Sequence, residues 1–169
     1  MAQDNGAKSG LERFIWWNFV HSSKDRIEAM EERSHVHQFN EGAVRMTRTL
    51  GDLAGLEDMG LHIVRIEPGH ETTEHHFHGQ DEEFVMILSG RLLARIGEEE
   101  CEAGPGDVLL FPKNGPAHSM KNIFEEDAVY LMGGTRAPID VCTYPRLGRV
   151  MYRVDGEKSY VDAPHLKKV

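Results

Sequence analysis

Gly69-His70-Glu71-Thr72-Thr73-Glu74-His75-His76-Phe77-His78-Gly79-Gln80-Asp81-Glu82-Glu83, running on through Phe84-Val85-Met86-Ile87-Leu88 to Ser89-Gly90, is the stretch that decides how this chain folds. Side chains on an extended strand alternate between its two faces. His76 and His78 flank a single residue, so an extended segment points both the same way and turns Phe77 to the other face. The polar stretch from Gly79 to Glu82 can fold the chain back. Phe84 to Leu88 is an apolar run that reads as a buried strand, ended by Ser89-Gly90. Facing strands joined by a turn thus deliver His76, His78 and the carboxylate of Glu83 to one spot. Neutral imidazole and carboxylate suit first-row divalent metals. A further ligand has to come from elsewhere in the chain. His118 is placed for it, after the turn marked by Pro112 and Gly115 and at the head of an alternating segment through Met120 to Asn122.

These residues resemble the paired motifs of the cupin superfamily. The first motif of that family has a glycine, a His-x-His pair, a glutamate and a closing glycine, and His76, His78, Glu83 and Gly90 fit it. The spacing from Gly69 to His76 is one residue longer than usual. His75 satisfies the shorter count and is a rival first ligand, but only His76 stands two residues before another histidine. Gly106, Pro112, Gly115, His118 and Asn122 fit the second motif, with Gly115 one residue late. The intervening segment, Arg91 to Pro105, is short, as in small single-domain bacterial members, some of which carry a provisional sugar-phosphate isomerase label. The resemblance covers roughly residues 44 to 145.

The resemblance implies an all-β fold, a double-stranded β-helix or jelly-roll barrel, with a short helical or irregular N-terminal segment. It implies a divalent transition metal held by His76, His78, Glu83 and His118; Mn, Fe, Ni, Co and Zn all accept that ligand set. The implied function is that of a metal-binding cupin acting on a small polar molecule. An isomerase of sugars or sugar phosphates is the first expectation, because an ion with open positions polarises a carbonyl or hydroxyl and helps a proton move between neighbouring carbons. An iron-dependent dioxygenase and a non-catalytic small-molecule binder are the alternatives. A homodimer is expected, both from the family and from the aromatic stretch Leu11 to Val20.

The rest of the chain agrees with a single all-strand domain. It has 169 residues, enough for one core. Its 17 glycines and 7 prolines fall mostly between apolar runs. Expected strands are 43–50, 61–67, 74–78, 84–88, 91–96, 99–103, 108–112, 117–122, 128–133 and 139–143, punctuated by turn residues such as Gly104-Pro105-Gly106. Short strands punctuated in this way suggest a jelly roll. The expected organisation is an N-terminal extension over 1–42, a barrel over 43–145, and a C-terminal tail over 146–169 packed on the barrel. Ser22 to Arg33 has the composition of a helix with a serine or aspartate cap.

Composition also narrows partners. A formal charge of −9 argues against nucleic acid or an anionic membrane surface. No apolar stretch is long enough to span a bilayer and no signal segment opens the chain, so a cytoplasmic location is expected. Cys101 and Cys142 are too few and too far apart for a disulfide framework. His62, His70 and His75 are expected to be non-ligands, and His21, His35, His37 and His165 to be solvated. Val64, Ile66, Val85, Ile87, Met120 and Tyr130 are the candidate pocket wall. Arg45, Arg48, Arg65, Arg95 and Arg136 are the candidates for an anionic substrate group, although arginine on a strand usually faces water.

Overall fold

A computed structural model describes residues 20–165. Two antiparallel layers make up the fold. One is a six-stranded sheet in the order β1 (Arg33–His37), β2 (Asn40–Thr49), β3 (Met59–Ile66), β10 (Ala128–Thr135), β5 (Glu83–Ser89) and β8 (Val108–Phe111). The other consists of two shorter sheets. These are β13 (Glu157–Asp162), β12 (Arg149–Val154), β11 (Ile139–Tyr144) and β4 (Phe77–His78), and then β7 (Glu99–Ala103), β6 (Leu92–Ile96) and β9 (His118–Lys121). The short sheets meet where His76 and His118 pair: His76 N–H donates to the His118 carbonyl at 3.1 Å, and His118 N–H to the His76 carbonyl at 2.8 Å.

Strand parity builds the core. On β3, Val64 and Ile66 are fully buried while Ile63 and Arg65 face outward, so the face containing His62 is the inner one. Val85 and Ile87 on β5, Leu92 and Ala94 on β6, Met120 on β9 and Tyr130 on β10 meet them between the layers. Each large apolar side chain buried in this way contributes roughly 1.5–3 kcal/mol. The outer face of the six-stranded sheet is also apolar: Met86, Leu88, Val108 and Leu110 are exposed there.

Motif residues fix the turns. Gly90 ends β5 at φ 68°, where a Cβ would collide with the Asp127 carbonyl oxygen. Asn122 is fully buried and staples its loop: Nδ2 donates to the Ile66 and Glu126 carbonyls, and Oδ1 accepts from Phe124 N–H.

Some boundaries differ from those expected. The helix expected over 22–33 is only α1 (Lys24–Glu28), capped by Ser23 Oγ. Between the expected strands 43–50 and 61–67 lies a short helix, α2 (Gly51–Ala54). The strand expected over 74–78 narrows to Phe77–His78 and the isolated pairing at His76. Arg33 to His37 forms β1, so the expected break at 42 falls inside a hairpin of the six-stranded sheet. The expected tail likewise contains β12 and β13, hydrogen-bonded onto β11. Asp155 and Gly156, both at positive φ, make the tight turn between them. Residues 11–19 of the aromatic N-terminal stretch lie outside the described residues.

Candidate metal centre

β4, β5 and β9 carry the imidazoles and carboxylate singled out above, with His76 just ahead of β4. Their parity puts all four into one cavity of about 460 Å³ between the layers. Glu83 Oε2 lies 3.4 Å from His118 Nε2, 3.6 Å from His78 Nε2 and 3.9 Å from His76 Nε2. Ligand atoms of His76, Glu83 and His118 all lie within 4.8 Å of one another, a group that could hold a metal. His75 is not part of it: its Nδ1 lies 3.0 Å from Ser119 Oγ. Of the two adjacent histidines, His76 lines the cavity.

Each ring is oriented from behind. His76 Nδ1 donates to the Glu74 carbonyl at 2.8 Å, and His78 Nδ1 to Asp140 Oδ2 at 2.6 Å. Those bonds leave both Nε2 lone pairs facing Glu83, the arrangement that outer partners of metal-bound histidines impose. The His118 ring stacks on Phe111 with centroids 3.7 Å apart. Asp140 is fully buried and also accepts from the backbone N–H groups of Gln80 and Asp81. Sequence reasoning missed Asp140. A signal was there: a lone carboxylate shares a strand face with Cys142 and Tyr144, which are buried.

Electrostatics suit the donor set. Burial, opposed by the Glu83 charge, pushes His76 down to about 3, so it is neutral at pH 7. Burial disfavours a charged Glu83, but the His118 hydrogen bond and the neighbouring imidazoles outweigh it and keep the carboxylate ionised. Burial likewise opposes a charged His78, but the Asp140 hydrogen bond and charge prevail and raise its pKa. Cys142 also lies near His76 and His78. Burial pushes its thiol up to about 12, so it stays protonated.

The remaining cavity wall is partly as expected. Val85, Met120 and Tyr130 line it, while Val64, Ile66 and Ile87 sit behind in the core. Of the five candidate arginines, only Arg45 reaches it. Arg48 and Arg65 pair with Glu32, Arg95 pairs with Glu100, and Arg136 lines a separate surface hollow. His35 and His37, expected to be solvated, line the cavity; His35 is exposed, and His37 is half-buried with its ring against Tyr144. His62 also lines it, and its buried Nδ1 has no partner among the described residues. Arg153 and Lys158 complete the wall and were not anticipated.

Comparison with known proteins follows the same outline. A cupin domain model matches residues 62–134. A protein of Acidithiobacillus ferrooxidans, provisionally named a sugar phosphate isomerase, is 38% identical with a TM-score of 0.86, over 88% of this chain and 96% of that one. A cupin-superfamily sugar phosphate isomerase of Silicibacter pomeroyi is 26% identical with a TM-score of 0.76, over 89% and 97% of the two chains. A Thermotoga maritima protein provisionally named an oxalate decarboxylase, 17% identical with a TM-score of 0.56 over 65% and 96%, shares the fold. No curated protein matches the sequence. No helix among the described residues is long and apolar enough to cross a membrane. With both motifs on facing strands and a relative this similar over nearly its whole length, the chain belongs to the cupin superfamily.

Proposed function

We propose that His76, His78, Glu83 and His118 hold one divalent transition metal, and that the protein isomerises a small sugar or sugar phosphate there. The observation that carries this reading is the aim of three Nε2 atoms at a single Glu83 oxygen, 3.4 to 3.9 Å away. Those four residues would hold the ion. When bound, such an ion supplies Lewis acidity toward a substrate carbonyl or hydroxyl.

The chain's own groups support the rest. Asp140 and the Glu74 carbonyl fix the rings, so the donors need little rearrangement. Tyr144 lies beside His76, and burial pushes its phenol well above the ordinary range, so it keeps its proton and can donate a hydrogen bond. His62, outside the cluster, has a buried ring nitrogen without a partner among the described residues, and it could carry a proton between substrate carbons. Val85, Met120 and Tyr130 give the cavity an apolar wall beside those groups.

The test is incubation of metal-loaded protein with aldoses, ketoses and their phosphates in D₂O, followed by NMR. Interconversion with deuterium at the carbon next to the carbonyl is the expected result. No exchange with any metal would sink the isomerase. Oxygen uptake by the iron-loaded protein with catechols or thiols would put the dioxygenase in its place, and saturable binding without turnover the passive binder. We also propose a cytoplasmic homodimer that covers the apolar patch around Leu110. Leu110→Asp should then yield monomers by light scattering; a wild-type monomer would remove the dimer.

A further inference from the structure

The cavity has a second chemical character at its other contributors. Arg45 on β2 pairs across the hairpin with His35 on β1, and His37 follows on the same face. Lys158 on β13 pairs with Arg153 on β12. All five line the same cavity as Glu83. They come from opposite ends of the chain, outside the residues that match the cupin model.

These cations are not equivalent. Arg153 donates to Asp81 at 2.6 Å, and Asp81 is buried, so that charge is neutralised in place. Arg45 and Lys158 make no ion pair among the described residues. Arg45 is only steadied by the Thr72 carbonyl at 3.4 Å. His37 Nδ1 accepts from Phe39 N–H at 3.3 Å, which leaves its Nε2–H as a donor with no partner among the described residues. His37 is half-buried, and burial together with the charges of Arg45, His35 and Lys158 pushes its pKa down to about 4, so it is neutral at pH 7. In a chain with a formal charge of −9, two uncompensated cations and a neutral N–H donor facing one cavity are a local reversal of sign.

We propose that Arg45, Lys158 and His37 form a subsite for the phosphate monoester of a phosphorylated polyhydroxy substrate. The inference rests on the reading of this cavity as a sugar-isomerising site and narrows it to phosphorylated substrates. Two unit charges from opposing walls match a dianion. Charge-assisted hydrogen bonds from arginine and lysine are among the stronger that a protein makes. The phosphate would be the anchor, leaving the carbonyl end for the His/Glu cluster.

The experiment is calorimetric titration of metal-loaded protein with sorbitol 6-phosphate, sorbitol and inorganic phosphate. Sorbitol 6-phosphate should bind at least about ten-fold more tightly than sorbitol, and inorganic phosphate should compete with it. Arg45→Met and Lys158→Met should each weaken it by about five-fold or more, with Arg45→Lys recovering part of the loss and metal content unchanged in all. Lys158 is exposed, so its substitution keeps the test valid should the Arg45 variants fold poorly. Equal affinity for the two polyols, or an unaltered 6-phosphate affinity in Lys158→Met, would overturn the subsite. Phosphate discrimination without turnover of any sugar phosphate would keep the subsite and sink the isomerase. Turnover that ignores phosphorylation would do the reverse.

Discussion

The floor of the cavity and its rim are built on different terms. At the floor, His76, His78, Glu83 and His118 are mostly buried, and two of the rings are locked from behind by Asp140 and the Glu74 carbonyl. At the rim, Arg45, Lys158 and His35 stand on hairpins that are partly or fully open to solvent. The floor comes largely from the stretch that matches the family, whereas the rim comes from β1, β2, β12 and β13. On the proposed reading, the difference would put chemistry and selectivity in separable parts of the chain. A preorganised floor suits an ion, and a looser rim suits the part of the substrate that varies.

That division can be broken most forcefully at the floor. Glu83→Ala or His118→Ala should lower metal affinity by more than about a hundred-fold, since each would remove a proposed ligand outright. Competition with a chromophoric chelator measures it, and unchanged affinity would mean the donor set is misassigned. Asp140→Asn should cost about 10–100-fold in the same assay, because His78 loses the acceptor that aims it. An effect as small as that of a surface change would make Asp140 a mere packing residue.

A titration sharpens the comparison further. His78 must be neutral to bind an ion, but Asp140 holds its pKa above the ordinary imidazole value. Metal affinity should therefore fall as pH drops through that raised pKa and recover above it. Without metal the sign reverses. A raised imidazole pKa adds stability that is fully present below the unfolded value and fades as pH rises through the folded one. Melting of metal-free protein across pH, in wild type and Asp140→Asn, isolates that contribution. The smallest effect belongs to the rim. Lys158→Met should leave metal affinity unaltered and stability within about 0.5 kcal/mol, as expected for an exposed side chain. A larger loss would show that floor and rim are coupled.

How legible this was follows from the same contrast. The floor rests on short-range rules. Alternation on a strand aligned His76 with His78, a polar turn returned Glu83, and the Pro112–Gly115 turn presented His118. The layered all-strand fold came with them. Asp140 escaped because its role depends on pairing across β4 and β11, residues some sixty positions apart in the chain. Arg45 was one of several arginines, and only the layer it faces separates it from Arg48 and Arg65, which Glu32 draws away. Arg153 and Lys158 escaped because the C-terminal stretch was read as a tail. Val154-Asp155-Gly156-Glu157 held the correction, since Asp-Gly between extended runs is a strong hairpin signal.

The reciprocal pairing of His76 with His118 has a mechanical meaning. It is where two half-sheets close into one layer, and the same residues turn their rings inward at that seam. An ion gripped there would rivet the halves together. Loading the protein should then delay its melting in proportion to the logarithm of metal concentration, most of all for the strands on either side of the joint.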